Sequence, residues 1–356
     1  MRALTVHAGP RALQHLRDGA LRPQDVRVIP AAAGGPKGLV LNPLDRFLFG
    51  HWLAASTHQV HLLGASIGAW RMACATLPDA DAALTQLAED YITQRYEHAP
   101  GQSPTPTAVS RAFGRKLDER LGVRAAEILA GPRYRLHVFT SRGRHVLRRE
   151  GRLRTPLGYL GAFVSNAASR RALGLWLERV VFSDPRTPLP FGLHDYRSRT
   201  VALTAANLAP AILASCSIPF WLDAVHDIPG APRGAYWDGG ITDYHLHLPY
   251  AGMAQGLVLY PHFQPQVVPG WLDKPFRRRH GATQALDNVV VLSPSPDWVA
   301  TLPGAKLPDR NDFKRWRDDE TTRIRAWRCA LAESERLAGD FADFLAGARD
   351  IPVRPL

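Results

Sequence analysis

Two short apolar runs near the start of the chain share one grammar. Residues 26–29 are β-branched or apolar around Arg27, and the run ends in Pro30-Ala31-Ala32-Ala33-Gly34-Gly35, after which a helix-like stretch starts at Pro36. Residues 59–63 are again strand-like. Gly64-Ala65-Ser66-Ile67-Gly68 then turns the chain, and residues 69–77 read as a helix stopped by Pro78. Parallel strands need crossover connections rather than hairpins, so strand and helix in alternation predict a parallel sheet covered on both faces.

Further along, Ala83, Leu84, Leu87, Ala88, Tyr91 and Ile92 recur at helical spacing, and residues 99–107 form a Pro/Ser/Thr/Gly linker. Ser110 is the expected N-cap of a basic amphipathic helix reaching about residue 129, followed by a strand over 133–140. Residues 142–154 hold six arginines and read as a hairpin and loop. Apolar runs bounded by turn residues predict strands at 200–205, 256–260 and 288–292. Between 311 and 345, Phe313, Trp316, Ile324, Trp327, Leu331, Leu337, Phe341 and Phe344 recur at roughly helical spacing, which predicts two closing helices.

Composition narrows the class. The chain has 356 residues, 46% of them hydrophobic, enough for one large folded body. Cys74, Cys216 and Cys329 lack disulfide-framework or metal-site spacing, which fits a reducing compartment. Residues 1–19 carry Arg2, His7, Arg11, His15, Arg17 and Asp18 and do not read as a signal peptide; no apolar stretch is long enough to span a bilayer. The expectation is a cytoplasmic protein, with peripheral membrane contact open. A formal charge of +12 favours an anionic partner. Trp271, Lys274, Phe276, Arg277, Arg278, Arg279 and His280 mix aromatic and cationic side chains as an anionic membrane surface would require. Residues 157–164 and 173–182 are candidates for an apolar cap, and no nucleic-acid-binding motif accompanies the charge.

The chemistry is carried by glycine-flanked turns. Gly64 to Gly68 is G-x-S-x-G, a strand-to-helix turn so tight that glycine is needed on both sides of Ser66, whose hydroxyl is left exposed at the carboxyl edge of the sheet. The helix behind it offers free N–H groups and a partial positive charge, including the amide of Ile67. Gly34-Gly35-Pro36-Lys37-Gly38 ends the preceding strand at the same edge, so the amides of Gly34 and Gly35 can reach a substrate oxygen. A phosphate-loop reading fails because Gly38, not Ser or Thr, follows Lys37. Asp238-Gly239-Gly240 follows the apolar Ala235-Tyr236-Trp237. Alone it would be an ordinary turn aspartate.

Taken in order, the glycine loop, the serine elbow, Ala214-Ser215-Cys216-Ser217-Ile218-Pro219 (A-S-x-x-x-P) and the D-G-G triplet resemble the motifs of the patatin-like phospholipase family, over residues 26–245. The resemblance implies a three-layer α/β/α sandwich with a mostly parallel central sheet and a dyad, Ser66 as nucleophile and Asp238 as proton acceptor. It further implies hydrolysis of lipid acyl esters without metal or cofactor, with Lys37, Gly38, Gly64, Gly68, Gly239 and Gly240 as supporting positions. The expected layout is one domain over 1–356, with an insertion or cap at about 99–190 and closing helices at about 309–347. The chain departs from the family pattern at Ala33, Lys37 and the stretch from Thr242 to Pro249.

That stretch carries two further readings. Asp243, His245 and His247 alternate, which on a strand would put three metal-ligand types on one face; hydrogen-bonded, partly buried histidines are the simpler expectation. Alternatively His245, His247 or His262 completes a Ser-Asp-His triad in an esterase of short-chain or polyester substrates. A catalytically silent module that binds anionic membranes is the rival outside enzymology.

Overall fold

The computed structural model describes residues 1–96, 104–317, 319–348 and 350–356. Eleven strands form one mixed sheet: β1 (Leu4–Ala8), β2 (Val26–Ala31), β3 (Val60–Ala65), β4 (Tyr134–Gly143), β5 (Leu177–Ser183), β6 (Ser198–Ala202), β7 (Val225–His226), β8 (Ala235–Asp238), β9 (Leu257–Pro261), β10 (Val289–Pro294) and β11 (Val353–Pro355). The order is β11-β1-β10-β9-β2-β3-β4-β5-β6, and β8 pairs with both β4 and β7. The run β10-β9-β2-β3-β4 is parallel throughout.

Burial on both faces explains the near-continuous apolar strands. Neighbouring residues of one strand enter different cores. Leu62, Leu136 and Val138 join the elbow helix Ile67–Ala75 and the helices Leu208–Cys216 and Glu335–Leu345, whereas Leu63, Ala65 and Phe139 join Tyr244, Tyr260 and Phe263 on the other side. A smaller cluster packs Tyr159 and Ala162 of the helix Arg154–Ala168 against Trp237. The expected three-layer α/β architecture, mostly parallel with helices on both faces, is what the chain adopts.

Several local expectations change. The helix expected from Ser110 starts earlier, at Pro106, because Thr105 accepts from the Ala108 amide and proline suits the first helical position; Ser110 instead accepts from the Asp223 amide at 2.8 Å. Of the linker, residues 99–103 lie outside the described residues. Residues 177–182 form no cap: they belong to β5, buried between β4 and β6. The arginine-rich stretch forms the end of β4 and a short 3-10 turn, His145–Arg148, with Arg154 opening the next helix. The closing region carries three helices, Asn311–Arg315, Glu320–Glu333 and Glu335–Leu345.

Candidate active site

The register along β4 brings the elbow and the D-G-G turn together. β3 runs beside the first part of β4 and ends with Ala65 opposite Phe139; β8 occupies the next rung, with Asp238 opposite Thr140. Two strands far apart in sequence thus meet end to end on one edge of a third. Ser66 Oγ donates to Asp238 Oδ2 at 2.7 Å, and Asp238 Oδ1 accepts from the Gly240 amide at 2.7 Å.

Backbone conformation gives Ser66 its prominence. Its φ of 56° lies in the left-handed region, a strained setting for a residue with a side chain. The flanking glycines are sterically required: a Cβ on Gly64 would overlap Ala69, and one on Gly68 would overlap the carbonyl of Ala31 on β2. Gly239 is equally constrained by the carbonyl of Phe139, and Gly240 by Ala33.

The A-S-x-x-x-P segment ties these pieces to one another. Ser215 Oγ donates to the Phe139 carbonyl at 2.7 Å and accepts from the Ser66 amide at 2.8 Å. Its carbonyl accepts from Gly239 at 3.1 Å, and that of Ser217 accepts from Asp238 at 2.8 Å. Ser215 was legible as a motif residue, but its tethering role depends on contacts 76 and 149 residues away in sequence.

The loop after β2 faces the same point. Gly35 has φ +57° and packs against the Arg310 guanidinium, and a Cβ on Gly34 would overlap Phe263. Gly34, Gly35 and Ile67 stand at the starts of the helical turns Gly35–Leu41 and Ile67–Ala75, where leading N–H groups have no acceptor within the helix. Gly38 packs against Ile67. The Lys37 ammonium lies 5.2 Å from the Phe263 ring centroid, and burial lowers its pKa.

Desolvation dominates the electrostatics of Asp238. Burial raises its carboxyl pKa, opposed first by the charge of Arg310 and then by the bonds from Ser66 and Gly240. A carboxylate held in a dry site is a stronger proton acceptor than one in water. Burial and the charge of Asp238 push the neighbouring Cys216 thiol up, so it stays protonated.

The stretch after Asp238 departs from the strand expectation. Gly240–Asp243 is a helical turn, so Asp243, His245 and His247 do not share a strand face. Asp243 is fully buried and bonded by Arg179 at 2.6 and 2.8 Å, by Tyr196 at 3.1 Å and by Thr242 at 2.8 Å, which commits it to an internal ion pair. His245 Nδ1 accepts from the Val268 amide at 2.9 Å, His247 Nε2 lies 3.2 Å from Thr283 Oγ1, and His262 Nδ1 engages Gln264. Among the described residues none of these rings is hydrogen-bonded to Ser66 or Asp238.

Two cavities meet at the hydrogen-bonded Ser66 and Asp238. The larger, 370 Å³, is lined by Ser66, Ile67, Cys216 and a mainly apolar wall that includes Val109, Phe113, Phe220 and Trp221. The smaller, 220 Å³, is lined by Gly34, Lys37, Asp238, Lys274, Asp309 and Arg310 among others. Such a pair of compartments, one greasy and one charged, accommodates an amphiphile better than a uniformly polar molecule.

A family model described as patatin-like phospholipase matches residues 55–245. Comparison with curated proteins returns no match. Among solved structures, VipD from Legionella pneumophila is similar at 13% sequence identity and a TM-score of 0.35, over 78% of this chain and 56% of that one.

Proposed function

The chain belongs to the patatin-like phospholipase family, a family of lipid acyl hydrolases, and we propose that it cleaves lipid acyl esters as a phospholipase A or lysophospholipase through a dyad of Ser66 and Asp238. The observation that carries the reading is the 2.7 Å bond between a left-handed elbow serine and a buried carboxylate, at the end of an apolar cavity. In the first half-reaction Ser66 Oγ attacks the ester carbonyl while its proton passes to Asp238 Oδ2. The tetrahedral oxyanion accepts from the N–H groups of Gly34, Gly35 and Ile67, and as it collapses Asp238 returns the proton to the departing alcohol. In the second, Asp238 takes a proton from water, whose oxygen attacks the acyl-serine; collapse reprotonates Ser66 and releases the fatty acid. The acyl chain occupies the cavity of Val109, Phe113, Phe220 and Trp221.

A dyad rather than a triad is supported by the hydrogen bonds of His245, His247 and His262, which engage other partners. Access to lipid is supported by the helix Arg154–Ala168, whose Leu157, Leu160 and Val164 are 62%, 60% and 60% exposed, with Leu153 just before it at 75%. Their spacing makes one solvent-facing apolar stripe. Its opposite face packs Tyr159 on Phe220 of the acyl cavity, so the stripe is suited to peripheral contact with an anionic bilayer from a cytoplasmic location. No helix among the described residues is long and apolar enough to cross a membrane.

Fluorophosphonate labelling with ester turnover tests the reading. Wild type is expected to label and to release fatty acid, while Ser66→Ala does neither. If the wild type does neither with acyl esters of any chain length, the hydrolase reading falls. Undiminished turnover by Asp238→Asn would remove the base role from Asp238.

A further inference from the structure

The smaller cavity gathers positive charge from three separate parts of the chain. Lys37 comes from the glycine loop, Lys274 from the aromatic-basic segment and Arg310 from the start of the closing helices; all three lie outside the residues matched by the family model. Among the described residues, none of the three forms an ion pair within 4.0 Å. Two of the three are held by rings: the Lys274 ammonium lies 4.0 Å from the centroid of Tyr244, and Lys37 lies over Phe263. Aromatic faces position a cation and leave its N–H groups available. The acid in the cleft besides Asp238 is Asp309, already paired with Lys306 at 3.0 Å.

Holding these charges close together is costly. Partial burial, then repulsion from Lys37 and Arg310, pushes the Lys274 pKa down to about 8, and Lys37 is lowered as well. With Asp309 taken by Lys306, three cations set against the Asp238 carboxylate leave about two positive charges uncompensated, and a phosphomonoester carries about −1.5 to −2 at neutral pH. A phosphodiester carries one negative charge, and an uncharged glycerol headgroup carries none.

Position relative to the dyad narrows the source. Ser66 lines the apolar cavity, Asp238 lines the cationic one, and Ile218 and Arg310 line both. An ester whose acyl chain fills the first therefore directs its alcohol portion towards the second. Resting on the hydrolase reading, we propose that the cleft of Lys37, Lys274 and Arg310 binds the phosphate of a phosphomonoester lipid, phosphatidate or lysophosphatidate, and makes that class the preferred substrate.

The experiment has a binding arm and a kinetic arm, both on the full chain. In the binding arm, Ser66→Ala is titrated with glycerol 3-phosphate, inorganic phosphate and glycerol. Glycerol 3-phosphate is expected to bind, glycerol not to, and added Lys274→Gln to weaken the first at least tenfold. In the kinetic arm, phosphatidate, phosphatidylcholine and diacylglycerol of matched chains are compared at one mole fraction in neutral-detergent micelles.

Wild type is expected to show kcat/KM at least tenfold higher for phosphatidate than for diacylglycerol. Lys274→Gln should erase most of that ratio, and Lys274→Arg should restore it. Arg278→Gln removes an exposed charge outside the cleft and controls for general attraction to an anionic surface. A wild-type ratio near one, or a ratio that Arg278→Gln lowers as much as Lys274→Gln does, overturns the assignment. Phosphate binding that depends on Lys274 without lipid discrimination would assign the cleft to free phosphate and also overturn it. If no lipid is cleaved and Ser66 does not label, the hydrolase reading fails by itself. Glycerol 3-phosphate affinity unchanged by Lys274→Gln would sink the cleft independently.

Discussion

At Asp238, activity and stability pull in opposite directions. Burial raises its pKa above the unfolded value, so at neutral pH the folded chain holds a carboxylate that the unfolded chain would solvate freely. Asn has nearly the same shape, can still accept from Gly240, and can donate to Ser66. Asp238→Asn should therefore cut kcat roughly a thousandfold while raising stability by about 1–3 kcal/mol, read as a higher Tm in the same preparation. If Asp238 is the base, the acid limb of the kcat/KM profile is expected to report the same group: the carboxylate must be ionised to accept a proton, so the rate should rise with pH, and the limb should lie above pH 4, the usual range for aspartate. A limb at or below that value would mean that a different group limits the reaction.

At the scale of elements, the site is a junction of strand ends, and Ser215 is the pin. Ser215→Ala would leave the Ser66 amide and the Phe139 carbonyl without a side-chain partner, at a cost of about 1–3 kcal/mol, and should lower kcat more than tenfold with KM little changed, because the elbow loosens while the apolar cavity stays intact. An unaltered kcat would reduce Ser215 to a structural bond. The turns were legible in the sequence because their constraint is local: Gly64 and Gly68 answer to steric overlaps that recur wherever a strand turns sharply into a helix. The neighbourhood of Asp243 was not legible, because its character comes from Arg179, 64 residues earlier in the chain, and a buried ion pair leaves no periodic trace. Strand β5 was misread for a related reason. Residues 177–183 are all buried, and the apolar composition that suits a central strand also suits a cap. The cationic cleft was visible only as parts: Lys274 stood in a surface-like basic run, and Arg310 carried no signal before folding set it against Gly35.

For the whole molecule, buried imidazoles link stability to pH. Burial lowers His61 to about 4 and His137 and His262 to about 3, against an ordinary value near 6.5. With folded pKa values below unfolded ones, their contribution is fully present above pH 6.5 and is lost as pH falls towards 4, by about 2 kcal/mol per ring at pH 5. His262→Phe, in a nest of Tyr260, Phe263 and His245, should flatten the fall of Tm between pH 6.5 and 4.5 relative to wild type. An identical slope would show that other groups set the acid sensitivity. Orientation at a lipid surface would also be a property of the whole molecule. The chain carries a formal charge of +12, which would draw it to an anionic bilayer over about a Debye length without choosing which face arrives first. On the proposed reading the stripe of Leu157, Leu160 and Val164 would supply that choice, since its helix lies between Phe220 of the apolar cavity and Phe276, which stacks on Phe163 and lies two residues from Lys274. Replacing the three with serine removes apolar surface worth several kcal/mol on insertion while leaving the buried side of the helix intact. Vesicle affinity and turnover of vesicle-borne lipid should fall at least tenfold, whereas turnover of a dissolved short-chain ester should hold within twofold, because only the first reaction begins with docking.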